Sequence, residues 1–132
     1  MSARPKPGPE DAPEPCPFTT AIDVVGGRWT LLTMFFLGFS PRRFNELQRL
    51  LPGVSHKVLT ETLRGLEANG LVTRRVFGTR PPHVEYAMSA YGETVRPVIE
   101  AMRAWGWTHL DKHGTVGPES TCGNRRGRVR AT

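Results

Sequence analysis

The segment from residue 43 to residue 88 restricts the fold of this 132-residue chain more than any other part of it. Two short runs with apolar residues at helical spacing are separated by Pro52-Gly53, a pair that forces a turn. The second run ends at Asn69-Gly70, and two runs rich in β-branched and aromatic residues follow, separated by the turn residues Gly78 to Pro82. This order predicts two helices joined by a tight turn and followed by a β-hairpin.

Capping residues set the expected bounds of these elements. Ser40 offers an N-cap and Pro41 suits the first helical position, so the first helix of the pair is expected to begin there. Ser55 is the N-cap expected for the second helix, which we place from about Ser55 to Asn69. The hairpin, or wing, is expected to span about Val72 to Met88. Together these elements predict a winged helix-turn-helix.

Further helices are predicted on both sides of this unit. Apolar residues at helical spacing begin at Phe18 and stop at Gly26-Gly27, and an almost uniformly apolar run then continues to Gly38, which predicts a buried central helix. A last helix is expected to begin near Ser89, with Pro97 bending or interrupting its first half. The predicted fold class is therefore mainly α with a small β-hairpin.

The N-terminal and C-terminal helices carry more apolar surface than the helix-turn-helix and its wing can cover. The last helix alone repeats Tyr91, Val95, Val98, Met102 and Trp105 at helical spacing. Because apolar surface of this size is unfavourable in water, a second copy of the chain is expected to cover it. These two helices are the expected dimerisation helices of a homodimer.

One domain, residues 16–113, is expected between two tails. Residues 1–15 contain five prolines and no apolar periodicity, which predicts a disordered arm, and residues 114–132 are rich in glycine and arginine, which predicts a disordered basic tail. No run reaches the roughly 18 apolar residues of a membrane helix, and the N-terminus has no basic-then-apolar signal sequence. We therefore expect no membrane partner and a cytoplasmic location.

Positive charge is concentrated in the part of the chain that holds the helix-turn-helix. The net charge of the whole chain is +6, and residues 16–88 carry nine Lys and Arg side chains against five Asp and Glu. Such an excess favours a polyanionic partner, because cationic side chains release the counterions condensed on phosphate. Charge alone does not separate DNA from RNA or a membrane surface, but the winged helix-turn-helix favours double-stranded DNA.

Position and charge together select the residues expected to contact DNA. Arg64 has the fork geometry to bind guanine, Lys57 is expected to meet phosphate, and Arg80 in the wing turn is expected to lie in or over the minor groove. Arg42 and Arg43 are expected at the start of the first helix, clamping the DNA backbone. The alternative interpretation of any single surface arginine is a solvated charge without a partner. The candidate DNA-binding residues are Arg42, Arg43, Ser55, His56, Lys57, Thr60, Arg64, Arg74, Arg75, Arg80 and His83.

Six motifs in order carry a resemblance to a known family. They are Cys16-Pro17, Asp23-Val24-Val25-Gly26-Gly27-Arg28-Trp29, Arg43-Phe44-Asn45-Glu46-Leu47, Pro52-Gly53-Val54-Ser55-His56-Lys57-Val58-Leu59, Leu66-Glu67-Ala68-Asn69-Gly70-Leu71-Val72 and Pro81-Pro82-His83-Val84-Glu85-Tyr86. In these motifs, over about residues 16 to 107, the chain resembles the HxlR family of bacterial transcription regulators. The resemblance implies a homodimer paired through its N- and C-terminal helices that binds operator DNA as a repressor or activator. Arg28, where lysine is frequent, and His56, where glutamine or another polar residue is common, depart from the family pattern.

Cys16 is a candidate sensor residue. It precedes Pro17 at the start of the first helix, where the helix dipole lowers a thiol pKa. The resemblance leaves two interpretations open, because several family members sense oxidants or electrophiles through the matching cysteine and in others that residue is structural. Cys122 is either a resolving thiol or an inert cysteine in the predicted tail. The identity of any small-molecule or oxidant effector is open.

An enzyme and a protein-interaction module are the two alternative classes of function. The chain has no GxSxG, HExxH or P-loop motif and no paired carboxylates, so we do not expect an enzyme. His109 and His113 are four residues apart but lack a third ligand, so neither a metal nor a cofactor is expected. The alternative to DNA binding is a winged-helix protein-interaction module that acts without direct DNA reading.

Overall fold

The computed structural model describes residues 15–113; the tails predicted on either side lie, apart from Pro15, outside the described residues. Within this range the chain is mainly helical with one small sheet. The elements in order are α1 (Pro17–Val25), α2 (Arg28–Leu37), β1 (Arg42–Arg43), α3 (Phe44–Leu50), α4 (His56–Ala68), β2 (Val72–Phe77), β3 (His83–Met88), a 3-10 helix (Gly92–Val95) and α5 (Arg96–His113).

Helix α2 forms the centre of the core, as its apolar composition predicts. Met34 and Phe36 on α2, Leu47 on α3 and Leu59 on α4 are all 0% exposed. The hydroxyl of the buried Thr33 donates a hydrogen bond to the Trp29 carbonyl at 2.6 Å, so this polar group is satisfied within its own helix. The helix-turn-helix pair α3 and α4 is therefore held against a single central helix.

The turn and the bounds of α4 follow the predicted capping residues. Gly53 has a φ of +91°, a left-handed conformation that suits the tight turn between α3 and α4. The Ser55 hydroxyl oxygen accepts a hydrogen bond from the Val58 amide at 3.1 Å and caps α4. At the other end Gly70 has a φ of +73°, and the Leu71 amide donates to the Leu66 carbonyl at 2.9 Å. The predicted span from Ser55 to Asn69 is confirmed.

The predicted start of α3 at Ser40-Pro41 is wrong, because that helix begins at Phe44. Arg42 and Arg43 instead form β1 and pair with β3, with Arg42 opposite Tyr86 and Arg43 opposite Glu85. The Glu46 carboxylate then accepts a hydrogen bond from the Arg43 amide at 3.0 Å. A two-residue strand has no periodicity of its own, so only its distant pairing partner reveals it.

The predicted wing is confirmed as the antiparallel pair β2 and β3, and β1 adds a third strand in the order β1-β3-β2. Tyr86 and Met88 of β3 pack against the core. Because successive side chains of a strand point to opposite faces, Glu85 and His83 lie on the face turned away from the core. This arrangement gives the sheet one face on the protein body and one outer face.

The last helical element differs in detail from its prediction. A 3-10 helix precedes α5 near Ser89, and the Ser89 hydroxyl oxygen accepts a hydrogen bond from the amide of its first residue, Gly92, at 2.9 Å. The same hydroxyl donates to the Gly70 carbonyl at 2.5 Å, which ties the end of α4 to this turn. Helix α5 begins at Arg96, with Pro97 in its first turn. The predicted interruption near Pro97 is thus the junction between the two helices.

Large apolar side chains on α1 and α5 remain exposed. Phe18 is 74% exposed on α1, and Met102 and Trp105 are 57% and 66% exposed on α5. No single helix between residues 15 and 113 combines the length and hydropathy needed to span a membrane; α1 and α2 reach that threshold only as a pair, bent by 74° at their junction.

Candidate nucleic-acid interface

Helix α4 separates a buried apolar face from a polar face. Leu59, Leu63 and Leu66 are buried against the core. The predicted contact residues on this element lie on the other side or at its start, where Ser55, His56, Lys57 and Arg64 are exposed and Thr60 is half-buried. The helix can therefore offer a polar surface to a groove of DNA while its leucines hold it in place.

The N-terminus of α4 has the properties of an anion-binding end. Its unpaired amides and the helix dipole favour a negative group near His56 and Lys57. The Ser55 oxygen is engaged by the Val58 amide, and the hydroxyl hydrogen remains able to donate to a phosphate oxygen. Ser55, His56 and Lys57 are therefore three successive side chains placed to contact the DNA backbone.

Two contacts orient side chains on this surface in ways that the sequence pattern does not show. The His56 ring packs on Phe44 of α3, with ring centroids 4.6 Å apart and planes at 46°. The Thr60 hydroxyl donates a hydrogen bond to the His56 carbonyl at 2.8 Å. Thr60 is thus left with an acceptor oxygen and a methyl group, which suit a base amino group or a thymine methyl group.

The sheet register sorts the four predicted arginines near the wing into two rows. Arg42 and Arg74 flank Tyr86, while Arg43 and Arg75 flank Glu85. The Tyr86 row lies on the core face, where Arg42 is half-buried and its Nε has no hydrogen-bond partner among the described residues. The Arg43 and Arg75 side chains are exposed on the outer face. Both residues belong to β1, and Arg43 is also the N-cap of α3, so the predicted position at the start of α3 holds for Arg43. Only Arg43 of the two lies on the outer face, and the clamp on the DNA backbone stays a prediction.

The wing turn presents Arg80 and holds His83 in place. Arg80 is exposed between the two strands, after Gly78 with its φ of +73°. The His83 ring stacks on Phe77, with centroids 5.4 Å apart, and its Nε2 lies 3.4 Å from a Glu85 carboxylate oxygen. Arg80 is thus the more available of the two predicted wing contacts.

Cys16 lies at the N-cap of α1 and is exposed. The Thr19 backbone amide and hydroxyl, followed by the Phe18 amide, lower the pKa of the Cys16 thiol. Solvent access together with a lowered pKa favours a reactive thiolate. The other cysteine, Cys122, lies outside the described residues.

Two charged residues outside the predicted set of contact residues have defined positions in the fold. Glu85 stands between the outer-face arginines. Arg96 donates to the Gly38 carbonyl at 3.1 Å and pairs with Glu93 at 2.8 Å, which joins the start of α5 to the end of α2. This hydrogen bonding lowers the pKa of Glu93.

Between residues 15 and 113 no cluster of three or more His, Cys, Asp or Glu side chains is placed to hold a metal ion.

Comparison with known proteins identifies this arrangement. The family model of the HxlR-like helix-turn-helix matches residues 24–114, which include α2, the helix-turn-helix, the wing and α5. The chain belongs to the HxlR family. The family match confirms the resemblance seen in the sequence motifs. The winged helix-turn-helix seen in the structure confirms the predicted fold class.

Relatives of this HxlR protein are transcription regulators rather than enzymes. The uncharacterized HTH-type transcriptional regulator YkvN of Bacillus subtilis is 37% identical over 102 residues, which cover 77% of this chain and 86% of YkvN. YdeP of the same organism, also an uncharacterized HTH-type transcriptional regulator, is 38% identical over 99 residues, covering 75% of this chain and 77% of YdeP. The chain is thus a member of a family of DNA-binding transcription regulators.

Solved structures of similar proteins have the same fold. The redox regulator HypR in its oxidized form has a TM-score of 0.68 and 38% identity, over 70% of this chain and 96% of HypR. The reduced form of the transcriptional regulator YodB from B. subtilis has a TM-score of 0.62 and 32% identity, over 80% of this chain and all of YodB.

Proposed function

We propose that this HxlR protein is a homodimeric, sequence-specific transcription regulator that binds an inverted-repeat operator. The observation that carries the proposal is the exposed polar face of α4, which begins at an N-terminus capped by Ser55 and is held by three buried leucines. Because its target is the DNA of the cell, we place the protein in the cytoplasm.

The exposed apolar surfaces of α1 and α5 support the homodimer. Phe18 and Ile22 on α1, and Val98, Met102 and Trp105 on α5, are all more than two-fifths exposed. A second copy would remove this surface from water. A two-fold axis would place the two α4 helices in successive major grooves, so the half-sites of the operator lie about one turn apart.

Individual roles follow from position and chemistry. Arg64 binds guanine O6 and N7, and Lys57 and Ser55 bind phosphate near the start of α4. His56, braced by Phe44, meets a base edge or the backbone. The remaining contacts are made by Thr60 on α4, Arg43, Arg74 and Arg75 on the sheet, Arg80 at the wing turn, and the less accessible Arg42 and His83.

A footprint on DNA flanking the protein's own gene, made at several salt concentrations, tests the proposal. We expect protection of an inverted repeat and an affinity that falls by orders of magnitude over a modest rise in salt. An asymmetric footprint would contradict the dimer. Binding to a protein partner that is insensitive to salt, with no affinity for any duplex, would favour the protein-interaction module instead.

We further propose that Cys16 makes this binding responsive to oxidants or electrophiles. The thiol is exposed, its pKa is lowered, and it lies one residue from the helix that carries Phe18. The similar protein HypR is a redox regulator whose oxidized and reduced forms are both known. A footprint that changes on mild peroxide or quinone treatment in wild type but not in Cys16→Ser would support the switch. A footprint that ignores the treatment in both proteins would remove it and leave DNA binding intact.

A further inference from the structure

Glu85 is the acidic residue at the centre of the outer sheet face. It belongs to the middle strand β3, and its direct cross-strand partners are Arg43 on one side and Arg75 on the other. Side chains paired in this way have Cβ atoms about 4.5–5.5 Å apart. One carboxylate is thus placed between two of the cations proposed to meet DNA phosphate.

The Glu85 carboxylate is not required to complete a buried network. Its side chain is 30% exposed, and one of its carboxylate oxygens lies 3.4 Å from His83 Nε2. The two arginines are exposed and extend into solvent. At this register the Cβ atoms of Glu85 and of each arginine lie closer than one Debye length, roughly 8 Å at physiological salt, so the carboxylate lowers the positive potential that the arginines present.

We propose that Glu85 limits the affinity of this sheet face for DNA phosphate by partly neutralising Arg43 and Arg75. The inference rests on the proposed DNA-binding function and deepens it. Phosphate contacts supply most of the affinity for nonspecific DNA, whereas the polar face of α4 supplies base contacts. A carboxylate beside the phosphate-binding arginines therefore increases discrimination between the operator and other DNA by weakening nonspecific binding.

The test is the substitution Glu85→Gln, which keeps the size of the side chain and removes its charge. We expect nonspecific duplex DNA to bind about three- to ten-fold more tightly at roughly 100 mM salt, with a salt slope steeper by about one. Affinity for the operator is expected to rise less than affinity for nonspecific DNA, so their ratio falls.

Glu100→Gln is the matched control, because it removes the same charge from an exposed position on α5. It should leave the salt slope unchanged. A second experiment tests the role of the two arginines. In the double variant Arg43→Gln/Arg75→Gln, adding Glu85→Gln should not change the affinity for nonspecific DNA further. A gain in affinity cannot arise from unfolding, so the expected result is independent of any loss of stability.

Three outcomes overturn the assignment of Glu85. They are an unchanged or weaker affinity of Glu85→Gln, an equal gain from Glu100→Gln, and a full gain that persists without the two arginines. Failure of the proposed function is recognisably different, because the wild-type protein would then bind neither operator nor nonspecific duplex in any salt-dependent way.

Discussion

At the scale of the residue, arginines that look equivalent in sequence have different surroundings in the fold. Arg64 is exposed on the polar face of α4, whereas Arg42 in β1 is half-buried beside Tyr86 on the core face. Only an exposed guanidinium can reach a base edge in the major groove. Arg64 is therefore the residue whose loss should change the sequence that is recognised.

Arg64→Ala is expected to relax specificity at one base position and cost about 1–3 kcal/mol there, because a bidentate contact to guanine is lost. Lys57→Ala, the matched cation on the same helix, should weaken binding to all duplexes and reduce the salt slope by about one. Binding of each variant to an operator library at two salt concentrations checks both effects. Equal losses on every sequence for both variants would refute base contact by Arg64.

Cys16 is expected to be alkylated faster than an ordinary thiol at neutral pH. Its pKa is lowered by the Thr19 amide and hydroxyl, so the reactive thiolate is populated at lower pH than in the unfolded chain. Reactivity should fall as pH drops through this lowered pKa. The rate of iodoacetamide reaction against pH, for native and urea-unfolded Cys122→Ser protein, measures the shift. Coincident curves would show that the fold does not activate Cys16.

At the scale of the element, the tight turn and the bounds of α4 follow closely from local signals, whereas the start of α3 and the turn after β3 do not. Ser55 and Gly53 act on residues next to them, so the bounds of α4 can be predicted from sequence. The hydroxyl of Ser89 instead bonds to Gly70, which lies far away in the sequence. The contact between Ser89 and Gly70 depends on the tertiary fold, so the sequence does not predict it.

Substitution by alanine should change the free energy of unfolding in opposite directions at Gly65 in α4 and at Gly92 after β3. No atom lies within 4 Å of a Cβ added at Gly65 in α4, so Gly65→Ala should stabilise the protein by about 0.5–1 kcal/mol. A Cβ at Gly92 would overlap the Leu71 carbonyl oxygen, so Gly92→Ala should destabilise it. Urea unfolding followed by circular dichroism gives both values. Stabilisation by both variants would show that the turn after β3 is loosely packed.

At the scale of the whole molecule, most of the described chain packs around α2, but α1 and α5 leave large apolar side chains exposed. These side chains lie outside the helix-turn-helix and its wing. The exposure of these side chains is the reason that the protein is expected to function as a dimer.

Met102→Glu is expected to weaken the homodimer by at least about ten-fold, because a charge would be buried in an apolar interface. Val76→Glu is the matched control, since Val76 on the wing has the same 57% exposure in one copy. Sedimentation over a range of protein concentrations should show dissociation of the α5 variant and not of the wing variant. A dimer unaffected by Met102→Glu would place the interface elsewhere.

The sequence by itself determined the order of the helices, the tight turn and the wing, because helical periodicity, caps and turn residues act over a few neighbouring positions. The family was indicated by the resemblance of six sequence motifs, which the family model confirms. Only the tertiary structure decided that Arg42 and Arg43 form a strand, which arginines share a sheet face and that Glu85 stands between two of them. Those relations depend on the register between strands far apart in the sequence. A shift of one residue in that register would exchange the two faces, and no local pattern specifies it.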